Sequence, residues 1–560
     1  MLIGIDVGGT FTDGVLFDGK AVTAVVKQPT NNLDLKNTLL QVLDELLAEV
    51  DNQAIHRIVL STTLVTNMLA TGNVEKTALL LLPGPGLPLD TYRLFDHTYF
   101  LKGSIDFKGR KTEAIDRKEI EQAVLQIDAL DIRKIAVIGK FSNRNSELET
   151  EVRQIVLNMF PHMDVSIGSE TAGQLNFLRR IVTTYYSVMT QSAWDSFIME
   201  IENALQAREI TAEVAVLKAD GGTMPLNLSR NKPCETVFSG PAASTMGAVA
   251  LVMKPRNTVV LDIGGTTSDI SLLIEGHPLY ASKGARIGGH YTHINAFSVC
   301  SLPLGGDSSI IINNDEIIVA SSRQGSAACF GGDYPTVTDV FNHKYMLGIG
   351  QQSQSSAILC KLIAGTDLDI DNLCTRVEMI VLERLQAAIE TMLREWENEP
   401  AYRVWEVVNG RKFDVQEIIG IGAASSAIVP HLAQRMQVEY TIPVHAAVAN
   451  ALGACVARPT LSLKVHIDTQ SGYYVIDQEG KRGSIPAGKN MQMQDARVLA
   501  QQHLAEIAKV RGMDEYSGEA EFYLEEQFNV IRGWNTAGKI FDVGIQISPG
   551  FIKEYQGVSR

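Results

Sequence analysis

Apolar and polar positions along the chain fall into two alternating rhythms. Residues 2–6 and 258–263 are short, nearly continuous apolar runs that end at aspartates, Asp6 and Asp262, and each predicts a buried strand. Gly8-Gly9 and Gly264-Gly265 follow as tight turns, and residues 14–17 and 270–274 predict the returning strands. Asp18-Gly19 and Glu275-Gly276 predict the next turns, leading to third strands at 21–27 and 278–283. A β-meander with a polar, glycine-rich first hairpin is thus written twice. Ile5-Asp6-Val7-Gly8-Gly9-Thr10-Phe11-Thr12-Asp13 returns 256 residues later as Leu261-Asp262-Ile263-Gly264-Gly265-Thr266-Thr267-Ser268-Asp269. Asp, Gly, Gly, Thr and Asp are common to both, which predicts two related domains opening with the same device.

Around the meanders the rhythm changes to that of helices. Leu35, Leu39, Val42, Leu43, Leu46, Leu47 and Val50 recur with helical spacing in 34–50. Strands are predicted at 57–60, 77–82 and 134–138, and helices at 64–71, 117–128 and 147–158. A long helical region spans 171–208, and a strand at 213–217 precedes Asp220-Gly221-Gly222. Helices at 241–253, 371–397, 423–435 and 446–457 and a strand at 416–420 complete an α/β pattern. The last hundred residues differ. Segments 461–477 and 519–547 read as strand-rich with one helix at 493–511, a small α+β appendage without a phosphate or metal motif.

Composition narrows the function class. A chain of 560 residues with 45% apolar and 20% charged positions is ordinary globular material, about three or four domains long. Its 49 basic and 64 acidic residues leave a net charge of −15, which argues against binding to nucleic acid or an anionic membrane. None of the six cysteines forms a C-x-x-C pair, so reduced, mostly buried thiols are expected. No apolar run reaches the roughly 18 residues of a membrane span. The opening Leu2-Ile3-Gly4-Ile5-Asp6 has no basic flank and ends in a carboxylate, so no signal peptide is expected and the expected compartment is the cytoplasm.

The two hairpins carry the chemistry. Glycines let a backbone approach a phosphate closely and aim its N–H groups at the oxygens. The following hydroxyls add donors, and the strand-end aspartates suit Mg²⁺, which takes oxygen ligands and keeps part of its water. Two such hairpins facing each other would hold a triphosphate from both sides. This arrangement resembles the actin/Hsp70/hexokinase ATPase superfamily.

Further stretches, in order, resemble the hydantoinase A/5-oxoprolinase family over residues 1–458. They are Ser61-Thr62-Thr63-Leu64-Val65-Thr66-Asn67, Ser239-Gly240-Pro241-Ala242, Gly305-Gly306-Asp307-Ser308, Ala328-Cys329-Phe330-Gly331-Gly332, Pro335-Thr336-Val337-Thr338-Asp339 and Gly420-Ile421-Gly422-Ala423-Ala424. The resemblance implies a two-domain actin-like (ribonuclease H-like) ATPase fold with a small C-terminal α+β appendage, divided as 1–168, 169–458 and 459–560. It implies an ATP- and Mg²⁺-dependent hydrolase that phosphorylates the carbonyl of a cyclic amide or imide to drive ring opening, as an A component working with a hydantoinase B-type subunit or as a homo-oligomer. The A-type subunit of an ATP-dependent ketone carboxylase and an actin- or chaperone-like nucleotide switch are the alternatives. The chain departs from the family at Asp307, where a third glycine is usual, and at Ile421 and Ala424.

Roles follow residue by residue. Asp6 and Asp262 are expected to organise Mg²⁺ and phosphate, and Asp307 and Asp339 are further carboxylates for base or metal work. Gly8, Gly9, Thr10, Gly264, Gly265 and Thr266 are expected at the phosphates, with Thr12, Asp13, Thr267 and Asp269 either at the ligand or ordering the hairpins. Gly420, Gly422 and Ala423 are expected against adenosine, and Thr63, Thr66 and Asn67 toward the substrate or γ-phosphate. His290 and His293 lack a clear third metal ligand, and Ser239 lacks the setting of a nucleophile.

Overall fold

Strand Leu2–Val7 is buried at all six positions because it sits mid-sheet with helices on both faces. Its alternation sorts the two sides. Ile3, Ile5 and Val7 pack with helix Leu35–Leu47 and with Trp194, Ile198 and Ile201 of helix Phe177–Ala207. Leu2, Gly4 and Asp6 face the other way, toward helix Ala449–Val456. A Cβ on Gly4 would lie 2.0 Å from Ala451 O, so the absent side chain sets how closely that helix approaches.

The architecture comes from a computed structural model, which describes the chain apart from residues 32–33, 314–315, 400–411, 478–479, 486–489, 534 and 559–560. Two sheets share one topology. The first runs Val22–Pro29, Phe11–Phe17, Leu2–Val7, Arg57–Thr62, Glu213–Leu217, Thr223–Pro225. The second runs His277–Pro278, Ser268–Ile274, Thr258–Ile263, Glu417–Ile421, Glu439–Thr441. In each, the meander is antiparallel and the next two strands run parallel to its first strand. The register repeats as well, with Asp6 opposite Asp13 and Asp262 opposite Asp269. This is the duplicated actin-like ATPase fold, α/β throughout. Helices Ser239–Val252 and Ala449–Val456 meet between the two halves through glycine, where a Cβ on Gly247 would lie 2.1 Å from Ala449 O.

Two further bodies complete the chain. Asp164–Ile167, Lys134–Gly139, Thr77–Leu82 and Thr98–Phe100 form a parallel sheet with its own core under helices Arg117–Ala129 and Glu147–Met159. The C-terminal region is a five-stranded antiparallel sheet whose core closes against helix Met493–Val510, the α+β appendage expected. No helix among the described residues is long and apolar enough to cross a membrane. The six cysteines are free, four of them buried, Cys300 half-buried and Cys360 exposed.

Several expectations need correction. The third strand of the second meander is only His277–Pro278, because Val299–Leu302 takes the place beside Ser268–Ile274. The long helical region is broken into Gly168–Thr171 and Phe177–Ala207 at Asn176, which takes φ +86° and accepts the Arg179 N–H as a cap. The boundary at 168/169 does not follow the sheets, since Glu213–Leu217 pairs with Arg57–Thr62 and belongs to the first half. Helices Val337–Tyr345 and Gln352–Ile363 were not anticipated.

Candidate functional site

Each hairpin turns at its glycines in the same way: Gly8 N–H donates to Phe11 O and Gly264 N–H to Thr267 O, both at 3.0 Å. The two turns face one another across a cleft of about 510 Å³. Asp6, Gly8, Gly9, Thr10, Asp13 and Lys27 line it from the first half, and Asp262, Gly264, Gly265, Thr266, Thr267 and Asp269 from the second. Gly422, Ala423, Ala424, Phe330, Thr338 and Ile349 extend it past the second hairpin. Gly422 has φ +83°, and a Cβ there would lie 2.4 Å from Asp262 Oδ1, so only glycine fits both the turn and the carboxylate.

Asp6 and Asp262 meet at Asn450, from helix Ala449–Val456, whose amide donates to Asp262 Oδ2 at 3.1 Å. Burial pushes Asp6 up to about 6, with a further push from Asp13. Burial, then the Asp269 carboxylate, pushes Asp262 up to about 7. Against an ordinary aspartate near 3.8, that places about 4 kcal/mol on the charged form of Asp262. Asp13, Asp269 and Asp307 are raised as well, chiefly by burial. Asp6 Oδ1 and Asp269 Oδ1 are buried without a hydrogen-bond partner. Such atoms are costly unless a cation or donor arrives. The donor set therefore fits a hard divalent cation at Asp6 and Asp262. Among the described residues no group of three or more His, Cys, Asp or Glu gathers as a metal cluster, so water and phosphate oxygens would supply the other ligands.

A strap at 305–307 supports the second hairpin, whereas Thr30 N–H donates to Thr10 O at 2.9 Å in the first. Gly306 N–H donates to Gly264 O at 2.9 Å and Asp307 N–H to Gly265 O at 2.8 Å. Thr338 Oγ1 and its N–H both donate to Gly306 O. Asp307 pairs with Arg323 Nε at 2.9 Å. Asp13 pairs instead with Lys27, its cross-strand neighbour, at 2.6 Å.

The expected site residues divide accordingly. Asp6, Asp262, Asp307, Gly8, Gly9, Thr10, Gly264, Gly265, Thr266, Thr267, Gly422, Ala423 and Thr63 converge on the cleft. Asp339 does not. Its carboxylate accepts the N–H groups of Ala328, Cys329 and Thr336 and the hydroxyls of Thr336 and Ser355, which leaves it holding two loops rather than a ligand. Thr12 is buried against Thr30 and orders the turn. Gly420 lies inside its strand, where a Cβ would meet Val429 at 2.8 Å. Thr66 accepts the Phe238 N–H, and Asn67 donates to Thr63, so both hold the chain behind the cleft. His290 packs on Phe95 and His293 lies 3.2 Å from Asn176 O, with burial pushing its ring down to about 4. Ser239 is buried and bonded to Thr62. Lys27, Arg323 and Asn450 also line the cleft and no local motif marks them; Phe330 lines it too, from a motif to which the sequence assigns no role.

A family model described as "Hydantoinase/oxoprolinase N-terminal region" matches residues 2–160, and one described as "Hydantoinase/oxoprolinase" matches 180–462. The chain is 24% identical over 376 residues to caprolactamase subunit alpha of Pseudomonas jessenii, covering 60% of this chain and 53% of that one. It is 23% identical over 389 residues to the acetophenone carboxylase gamma subunit of Aromatoleum aromaticum, covering 60% and 52%. The nucleotide-free structure of acetone carboxylase superposes with a TM-score of 0.70 at 16% identity, covering 99% of this chain and 88% of that one. The chain spans about half the length of the curated relatives it matches.

Proposed function

We propose that this chain, which belongs to the hydantoinase/oxoprolinase family, is the ATP-using component of an enzyme that activates a cyclic amide or imide for ring opening. The observation that carries the reading is the facing pair of Asp-x-Gly-Gly hairpins, with Asp6 and Asp262 meeting at Asn450 in one cleft. Similarity to a caprolactamase subunit supports the substrate class. Mg²⁺ held at Asp6 and Asp262 would supply charge neutralisation on the phosphate chain.

The chain's own groups divide the work. Turn N–H groups of both hairpins and the hydroxyls of Thr10, Thr266 and Thr267 bind and orient the phosphates. Lys27 offsets charge from the first half. The apolar wall of Ala424, Phe330 and Ile349 excludes water from the nucleoside end. Thr63, whose hydroxyl donates to Val7 O, marks the end of the cleft where a substrate carbonyl would lie. An unstrained lactam is a poor electrophile. Transfer of the terminal phosphoryl group to its oxygen releases ADP and supplies a leaving group. Water then adds at the carbon, the ring nitrogen takes up a proton and departs as the amine to leave an acyl phosphate, and a second water releases inorganic phosphate and the carboxylate, so one ATP and one ring C–N bond are hydrolysed together with two waters. A partner subunit fits this reading, because the relatives are named as subunits and are about twice as long as the aligned region.

A second reading, a subunit of an ATP-dependent ketone carboxylase, is favoured by the similarity to the acetophenone carboxylase subunit. The two separate in one experiment: ADP release by the purified chain with Mg-ATP, alone and with 5-oxoproline, hydantoins, lactams, or small ketones plus bicarbonate, with Asp262→Ala as the blank. Stimulation by a cyclic amide supports the first reading, and stimulation by ketone alone the second. Absence of Mg-ATP binding sinks both.

A further inference from the structure

The cleft has an imbalance that the hairpins alone do not resolve. Among the described residues, five carboxylates line it, Asp6, Asp13, Asp262, Asp269 and Asp307, against two basic side chains, Lys27 and Arg323. A phosphate chain entering such a site would be favoured by both basic side chains. Each is parked on an aspartate, but they arrive by different routes. The first hairpin draws its cation from its own third strand, where Lys27 lies opposite Asp13. The second hairpin cannot do this. Its third strand is only His277–Pro278, and Asp269 faces Ser301 of the strand that replaces it.

We propose that Arg323 is the phosphate-contacting cation of the second hairpin and that Asp307 is the positioning residue that presents it. Arg323 ends strand Glu316–Arg323, whose hairpin begins at Ser308, directly after the strap. Asp307 is 9% exposed and pinned three ways: its N–H on Gly265 O, its Oδ1 accepting Ala327 N–H at 3.3 Å, and its Oδ2 on Arg323 Nε at 2.9 Å. That same Oδ2 lies 2.7 Å from where a Gly265 Cβ would be. The guanidinium is thus one carboxylate's width from the turn. Arg323 Nη2 donates to Ser326 Oγ at 3.1 Å, a neutral hydroxyl that a phosphate oxygen outcompetes as acceptor. Arginine suits the task better than lysine. Its planar fork can keep Nε on Asp307 while offering the Nη hydrogens to a second anion. An extra carboxylate beside a phosphate site, otherwise unfavourable, is thereby explained as the orienter of an arginine.

This inference rests on the ATP reading, and the test keeps the two separate. Binding of ATP and of adenosine to the purified full chain is measured by calorimetry with Mg²⁺ for wild type, Arg323→Ala, Asp307→Asn and the double variant. The expected result is a roughly 10- to 100-fold loss of ATP affinity in Arg323→Ala with adenosine unchanged. Added guanidinium should restore part of the loss. Asp307→Asn should lose about 5- to 10-fold for ATP only, and nothing further in the Arg323→Ala background, because it acts through Arg323. A purely structural role for Asp307 would weaken adenosine and ATP alike and add to Arg323→Ala, which overturns the positioning role. ATP affinity unchanged in Arg323→Ala, with wild type binding normally, overturns the phosphate contact. Wild type that does not bind ATP overturns the underlying reading and this inference with it.

Discussion

The two hairpins are the same device built into two different surroundings. Both place an aspartate at the end of a buried strand, turn on two glycines and pair a second aspartate across the register. The first is held by Thr30 N–H on Thr10 O, and a Cβ at Gly9 would meet nothing within 4 Å. The second is braced by 305–307, and a Cβ at Gly265 would meet Asp307. The fourth strands differ too. Arg57–Thr62 leaves into Thr63 at an ordinary φ of −85°, whereas Glu417–Ile421 leaves into Gly422 at +83°. A repeated backbone motif thus preserves the geometry of the turn, while charge and support are supplied by whatever segment is near.

The largest effect tests what the hairpins share. Asp6→Asn and Asp262→Asn should each lower ATP turnover on the order of 100-fold, since each removes one of the two meeting carboxylates. Turnover preserved in either variant would show that one hairpin suffices and break the two-sided clamp.

Next comes pH. Both carboxyls are raised in the folded chain, Asp6 to about 6 and Asp262 to about 7, against about 3.8 when unfolded. Their contribution to stability is full below the unfolded value, falls as pH rises above it, and is gone above about 6 for Asp6 and about 7 for Asp262. Without Mg²⁺ and nucleotide, the protein should be less stable at pH 7 than at pH 4 by about 4–7 kcal/mol, followed by urea unfolding. Asp262→Asn should remove the upper part of the decline and Asp6→Asn the lower. Mg-ATP binding at pH 6.5 should release protons, read by calorimetry in buffers of different ionisation enthalpy.

Gly422→Ala should cost about 2–3 kcal/mol, from its positive φ and the clash with Asp262. Thr63→Ala at the matching turn should stay within about 1 kcal/mol. The smallest contrast is the most specific. Gly265→Ala should cost about 1 kcal/mol by displacing Asp307, and Gly9→Ala should remain within about 0.5 kcal/mol of wild type. Equal costs in denaturant titrations would remove the difference between the two turns.

Much of this was legible locally. Strand-end aspartates, paired glycines and the period-2 runs beside them are decided within a dozen residues, so both hairpins and most helices could be placed from the chain. Asp339 shows a signal that was present but read for chemistry: Thr336-x-x-Asp339 is a helix capping pattern, and the structure uses it as a capping box. Thr66 and Asn67 follow Thr63 at i+3 and i+4 on one face of helix Leu64–Thr71, but their side chains are taken up by Phe238 N–H and Thr63 Oγ1, partners that helix spacing does not reveal. The third strand at 278–283 failed because a competing segment, Val299–Leu302, wins the edge, and pairing partners distant in the chain leave no local trace.

By itself the sequence determined the repeated hairpin, the alternation of helix and strand and the acidic character of the strand ends, because glycine torsions and hydrophobic periodicity are local properties. Only the tertiary structure decided which charges share the cleft. Lys27 reaches it by cross-strand register, Asn450 by a helix that meets the strands through Gly4, and Arg323 by a hairpin grown from the strap. Electrostatic interaction depends on distance in space and on burial, and neither is written in the spacing of residues along the chain.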